Sequence, residues 1–209
     1  MNWEVVDQFE KELAKFFGSP YAICTDSCTH GVELCLRYTN ADHIIVPKHT
    51  YLSIPMLANK LWIDLFWKDE DWVEYYYLTK DVIDAAVLWR RNSYVPKTFM
   101  CVSMQYQKHL SLGRGGVILT DDCNAHCELK KMVYDGRIPN IPWREQGNIK
   151  TQGYHYYMTI ETAQLGLEKL PKAIQTKPKQ WVSHLDWPDI SDYDVFQPKK
   201  PSFPPDRYV

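Results

Sequence analysis

Residues 21–47 read YAICTDSCTHGVELCLRYTNADHIIVP. The apolar run YAIC breaks into a polar bend, Thr25 to Thr29, built from residue types that cap helices. GVELCLRY (31–38) continues at helical spacing, and HIIVP (43–47) is apolar again. Strand, helix and strand joined by short connections are the pattern of a parallel α/β sheet.

The same alternation extends outward. Val5, Val6, Phe9, Leu13, Phe16 and Phe17 share one helical face, and Gly18-Ser19-Pro20 supplies stop signals. Residues 51–60 are helix-like, and LWIDLFW (61–67) reads as another strand. After a poorly patterned stretch come YYYL (75–78) and VIDAAVL (82–88), then Phe99 to Ser103 and Val117 to Leu119 as paired strands. Asp121 or Asp122 caps a helix reaching Tyr134, and Thr159 to Leu170 forms a capped amphipathic helix. Beyond Pro171 the chain is rich in Pro and Lys. The expectation is one domain over 1–170 and an irregular extension over 171–209, extended, draped over a neighbour or partly disordered.

With 209 residues, 45% hydrophobic and 24% charged, the chain can bury a core without staples. A formal net charge of −2 argues against a broad nucleic-acid surface. No apolar run approaches the roughly 18 residues of a membrane span, and the N-terminus does not resemble a signal peptide, so a cytoplasmic protein is expected. In that compartment the six cysteines stay reduced.

Soft metal ligands gather at Cys24, Cys28 and His30 and at Cys123, His126 and Cys127, but the paired C-x-x-C knuckles of structural zinc are absent. No G-x-S-x-G elbow is present either. Four other positions converge at the carboxyl ends of strands, where open α/β sheets bind ligands. The bend at Cys28-Thr29 opens a helix whose N-terminus favours phosphate. Tyr51 follows the strand HIIVP, and Asp84 is an acid inside an apolar strand. Lys108 precedes the glycines of SMQYQKHLSLGRGGVILTDD (103–122), the reverse of a Walker loop. Each also has an ordinary reading: Thr29 as a helix cap, Tyr51 as a core aromatic, Lys108 as a solvated cation. Asp84 is harder to explain away, because a buried carboxylate demands a partner. A phosphorylated, protonated pyridine aldehyde uses all four, and that molecule is pyridoxal 5'-phosphate (PLP).

At these residues the sequence resembles the DegT/DnrJ/EryC1/StrS family of PLP-dependent aminotransferases. The resemblance runs through FEKELAKFFGSPYAICTDSCTHGVELCLRY, IIVPKHTYLS, VIDAA, SMQYQKHLSLGRGGVILTDD and GYHYYMTIETAQLGLEKL. It implies a reduced three-layer α/β large domain of the aspartate aminotransferase type (fold type I), with a mainly parallel sheet. It implies Lys108 as the Schiff-base lysine, Asp84 as the pyridinium partner and Tyr51 as the stacking aromatic. Cys28, Thr29 and Ser103 match phosphate-binding positions, Gln105 a position beside the cofactor, and His155 an Asn that reaches the neighbouring subunit's site. A homodimer with shared active sites follows, with a glutamate- or glutamine-like amino donor and a keto-sugar nucleotide or similar acceptor as small-molecule partners. Lys108 disfavours the family's dehydratase branch, which carries His there.

Departures from the family pattern are Cys28 for Gly, Val87 for Gln or His, His109 for Asn, Arg114 for Glu, and His155 and Tyr157 for Asn and Arg. A strand-helix segment before VIDAA and the C-terminal small domain are also missing, as in shortened viral or marine metagenomic forms. Two alternatives stay open: a PLP-fold protein with altered activity serving as a binding or assembly module, and an unrelated reduced-cysteine α/β protein that binds metal.

Overall fold

In the computed structural model, which describes residues 3–197, alternate residues of the central strands point to opposite sides and both sides are buried. On one side Ala22, Met100, Val102, Val117 and Leu119 meet Phe9, Leu13 and Phe17 of α1 (Glu4–Phe17) and Ala163 and Leu170 of α5 (Ile160–Gln175). On the other, Ile23, Cys101 and Ile118 meet α2 (Cys28–Tyr38), α3 (Ser53–Leu61) and α4 (Cys123–Met132) through Val32, Leu36, Leu57, Ala125 and Leu129. Helices on both faces of one sheet make the expected three-layer α/β fold.

The strands are β1 (Tyr21–Thr25), β2 (His43–Pro47), β3 (Asp64–Lys68), β4 (Tyr76–Tyr77), β5 (Val82–Asp84), β6 (Phe99–Ser103) and β7 (Gly116–Thr120). Five form a sheet in the order β1-β7-β6-β5-β4, and β2 pairs in parallel with β3. One backbone bond, Ile45 N–H to Leu78 O at 2.9 Å, links the two. The pairing is mixed rather than mainly parallel. β5 and β6 run together, but β7 is antiparallel to both β6 and β1, and β4 is antiparallel to β5. The short return from β6 to β7 carries no crossover helix, so it reverses the chain.

Three boundaries differ from the sequence reading. α2 starts at Cys28, with Ser27 Oγ accepting from His30 N–H, so the end of the polar bend, Cys28 and Thr29, opens the helix's first turn. α3 reaches Leu61 and is closed by Trp62 in a left-handed conformation (φ 57°), which delays β3 to Asp64. α5 runs through Pro171 to Gln175, and Trp89 Nε1–H donates to Ala173 O at 3.1 Å, holding that last turn. The caps at Asp122 and Thr159 form as read.

Residues 176–197 fold back across the chain's own strand ends. A bridge joins His49 and Asp189, and Ile190 N–H bonds Lys48 O at 3.1 Å. The rest of the 171–209 extension, residues 198–209, lies outside the described residues. Among the described residues no helix is long and apolar enough to cross a membrane, and no group of three His, Cys, Asp or Glu could hold a metal.

A buried ion cluster ties three elements together. Lys130 Nζ on α4 lies 2.7 Å from Glu10 and 3.0 Å from Asp7 on α1, while Glu10 accepts from Cys24 N–H of β1 at 2.7 Å. Burial raises the Glu10 carboxyl above its usual range despite Lys130, whereas its acidic neighbours push Lys130 upward against burial. Replacing Lys130 with Met leaves a buried acid without its cation. Urea unfolding should show a loss of about 3–5 kcal/mol, the usual cost of removing one partner of a buried pair.

Candidate functional site

Register brings the candidate residues to one edge. Thr25, at the end of β1, pairs with Gly116, the first residue of β7, and Gly116 pairs with Ser103, the last of β6. Asp84 ends β5 opposite Cys101, two residues before Ser103. The carboxyl ends of β1, β5 and β6 therefore open on the same side, and α2 starts there.

That helix start lies against Gly116. A Cβ on residue 116 would sit 2.5 Å from Cys28 N and 2.7 Å from Ser27 C, so only glycine lets the first turn of α2 descend onto the sheet. The leading N–H groups of a helix have no intrahelical acceptors and carry its positive dipole end. Thr29 Oγ1 and Ser53 Oγ, 2.7 Å apart, add hydroxyls from α2 and α3. Arg114 spans the bend, donating from Nη2 to Asp26 Oδ2 at 2.8 Å and from Nε to Asp26 O at 3.2 Å.

Asp84 is 3% exposed. Its Oδ2 accepts from the Tyr76 hydroxyl, which also bonds the Thr50 hydroxyl, and its Oδ1 accepts from Ala86 N–H at 2.9 Å. Burial raises its carboxyl above the ordinary value, opposed by Tyr76, by Ala86 N–H and by the charge of Lys108. Burial together with the Asp84 charge drives Tyr76 well above the tyrosine range, so its hydroxyl remains a neutral donor.

Lys108 stands on the loop from β6 to β7, which Met104 N–H to Gly115 O (2.9 Å), Tyr106 N–H to Gly113 O (3.1 Å) and Lys108 N–H to Gln105 O (2.8 Å) hold in shape. Burial lowers its amine below the usual lysine value, with Asp84 and Cys28 acting the other way. A lowered lysine is a better nucleophile at neutral pH.

A cavity of about 210 Å³ collects these groups: Cys28, Thr29, Tyr51, Asp84, Ser103, Gln105 and Lys108 all line it. Tyr51 is 58% exposed, which rules out the core-aromatic reading. Of the eight positions singled out in the sequence, His155 alone stands away. It contacts Asp135 at 3.1 Å and the Tyr157 hydroxyl at 3.1 Å. Its segment is nevertheless held beside the site, since Tyr156 O accepts from Asp26 N–H at 2.7 Å and the Tyr156 ring stacks on His30 at 3.6 Å.

Several contributors escaped the sequence reading. Tyr76 lay in YYYL, where nothing local marks one tyrosine as the partner of an acid. Ser53 looked like an ordinary helix residue. Trp181, Asp186 and Trp187 line the cavity from a Pro- and Lys-rich stretch with no periodicity.

The three-layer α/β fold is shared with solved structures of PLP-dependent aminotransferases. Solved structures sharing it include AtS13 from Actinomadura melliaura (TM-score 0.74, 18% identity, 84% of this chain and 61% of that one). A GDP-4-keto-6-deoxymannose-3-dehydratase solved with PLP and glutamate trapped together is another (TM-score 0.65, 18% identity, 81% of this chain and 61% of that one). In sequence, residues 1–96 match the DegT/DnrJ/EryC1/StrS aminotransferase family, and over that stretch the chain is similar to it. A curated relative, the dTDP-3-amino-3,4,6-trideoxy-alpha-D-glucose transaminase of Micromonospora megalomicea subsp. nigra, is 28% identical over 131 residues, 58% of this chain. The chain spans 33% of that relative's length.

Two outcomes test the geometry. Gly116→Ala should lower stability by about 1–3 kcal/mol or more in urea unfolding, because the clash is with backbone, while Gly147→Ala, with open space around it, stays close to wild type. Asp84→Asn should leave the protein without added ligand as stable as wild type at neutral pH, or more so. With its folded-state pKa raised, Asp84 contributes stability that is fully present only below its unfolded value, about 3.9, and lost as pH rises through the folded one. Thermal melts across pH should therefore show the variant gaining on wild type as pH increases.

Proposed function

We propose that this cavity holds PLP on Lys108 and that the chain is an aminotransferase. It would move an amino group from a glutamate- or glutamine-like donor to a keto-sugar nucleotide or similar keto acceptor. The observation that carries the reading is the placement of a half-buried lysine, a buried acid and a helix N-terminus around one cavity. The residues fit the cofactor. Asp84 is a buried carboxylate with no salt bridge among the described residues, and a protonated ring nitrogen would answer its charge. Thr29, Ser103 and the first turn of α2 suit a phosphate, and Tyr51 suits the face of a ring.

When bound, PLP supplies an electron sink for the donor's Cα. Asp84, oriented by Tyr76 and Ala86 N–H, holds a proton at the ring nitrogen. Lys108 serves as attachment point and, once released, as the base that takes the proton from the donor's Cα and returns it. Its lowered basicity keeps a neutral amine available for that task. The carrier pattern is ping-pong, with the donor leaving as a keto acid before the acceptor enters.

We also assign a homodimer with shared active sites. The GYHYYM segment supports it, because His155 contacts Asp135 rather than lining its own chain's cavity and matches a family position that serves the neighbouring subunit.

The purified protein incubated with PLP should show a visible absorption band that borohydride removes, and Lys108→Ala should abolish it. Adding glutamate should bleach the band with release of 2-oxoglutarate. A protein that stays colourless with PLP would falsify the proposal. A band that glutamate leaves unchanged would sink the transaminase assignment but keep the cofactor.

A further inference from the structure

One wall of the cavity comes from the returning C-terminal segment rather than from the sheet or helices α1 to α5. Trp181, Asp186 and Trp187 supply it from residues 177–190, which cross the strand ends as a strap containing α6 (Ser183–Asp186). The two indoles are stacked, with centroids 5.2 Å apart at 29°. Lys108 Nζ lies 4.8 Å from the Trp181 ring centre and 6.0 Å from that of Trp187.

The strap is fixed in place. His49 Nδ1 lies 2.9 Å from Trp187 O, and Ser183 Oγ donates to Asp71 Oδ1 at 2.7 Å. Ser183 is 1% exposed and Ile190 2%. Trp187 packs on Trp72 at 4.9 Å. Asp186 is held by Val182 N–H at 2.7 Å and Lys179 Nζ at 2.6 Å, and Lys179 also caps the Trp181 ring at 3.7 Å. A segment anchored at so many points is a built wall, and its cavity-facing groups are two aromatic surfaces beside a carboxylate.

Resting on the reading of Lys108 as the cofactor's attachment point, we propose that Trp181 and Trp187 are specificity-determining residues. They position the reacting molecule by stacking against the apolar face of a ring, with Asp186 at its hydroxyl-bearing edge. An indole face suits the C–H face of a sugar ring, and a carboxylate accepts from hydroxyls. A chain-like dicarboxylate presents neither feature. The strap thus serves the sugar-bearing acceptor, while the opposite side, built from Thr29, Asp84 and Ser103, serves the cofactor.

The test uses the full chain as wild type, W181F, W181A and W187A. Each is incubated with PLP and reduced with borohydride, and the modified peptide is identified by mass. Capture at Lys108 should persist in all four. Failure of wild type to capture PLP there would remove the reading beneath this inference. Calorimetric titration of the PLP-loaded proteins with dTDP-glucose and with dTDP then isolates the sugar ring. Wild type should favour the sugar-bearing probe by about ten-fold, W181A and W187A should bring the two within about two-fold, and W181F should keep most of the preference. Equal affinities in wild type, or a preference that survives W181A, would overturn the proposal while leaving the role of Lys108 intact.

Discussion

The backbone of Cys28 occupies the space where a side chain on residue 116 would lie. That close approach sets the depth at which α2 meets the sheet, and with it the height of the bend, of Thr29 and of the cavity floor. Because Gly116 is paired on one side with Thr25 and on the other with Ser103, the contact also aligns β1 and β6 at a common edge. Two strands distant in sequence thereby end beside one helix start. Lys108 emerges five residues beyond that edge, close enough for its loop to fold back over it.

Around this contact the electrostatics are asymmetric. Asp84 is buried with hydrogen-bond donors but, among the described residues, no salt bridge, and its environment disfavours the charge it would carry. Lys108 is buried enough to lose basicity. Each effect weakens the free ion, and each would be relieved by a molecule offering a cation to the acid and a carbonyl to the amine. Elsewhere among the described residues, buried carboxylates are answered by cations of the chain. Glu10 has Lys130, and fully buried Glu33 has Arg37 at 2.9 Å and Lys60 at 2.7 Å. The contrast separates carboxylates answered by cations from one answered by hydrogen bonds alone.

Local periodicity determined most of the secondary structure. α1, β1, β2 and the caps at Asp122 and Thr159 were legible because each depends on residues within a few positions. Seven of the eight candidate positions share one cavity for a related reason, since their motifs sit at strand ends and strand ends gather at one edge of such a sheet. β3 began late and α5 ran long because a left-handed Trp62 and a tertiary bond from Trp89 overrode the apolar pattern and the proline.

By itself, then, the sequence determined the α/β class and singled out Asp84, Lys108 and the polar bend as candidates that the fold brings to one cavity. Tertiary structure alone decided the reversed strand β7, the Thr50–Tyr76–Asp84 chain, and the return of Trp181, Asp186 and Trp187 over the cavity. These rest on contacts between segments far apart or without periodicity, where no local spacing distinguishes a wall of a site from a solvated tail. His155 marks the boundary between the two: its motif is plain in the sequence, but its own chain gives it no place in the cavity.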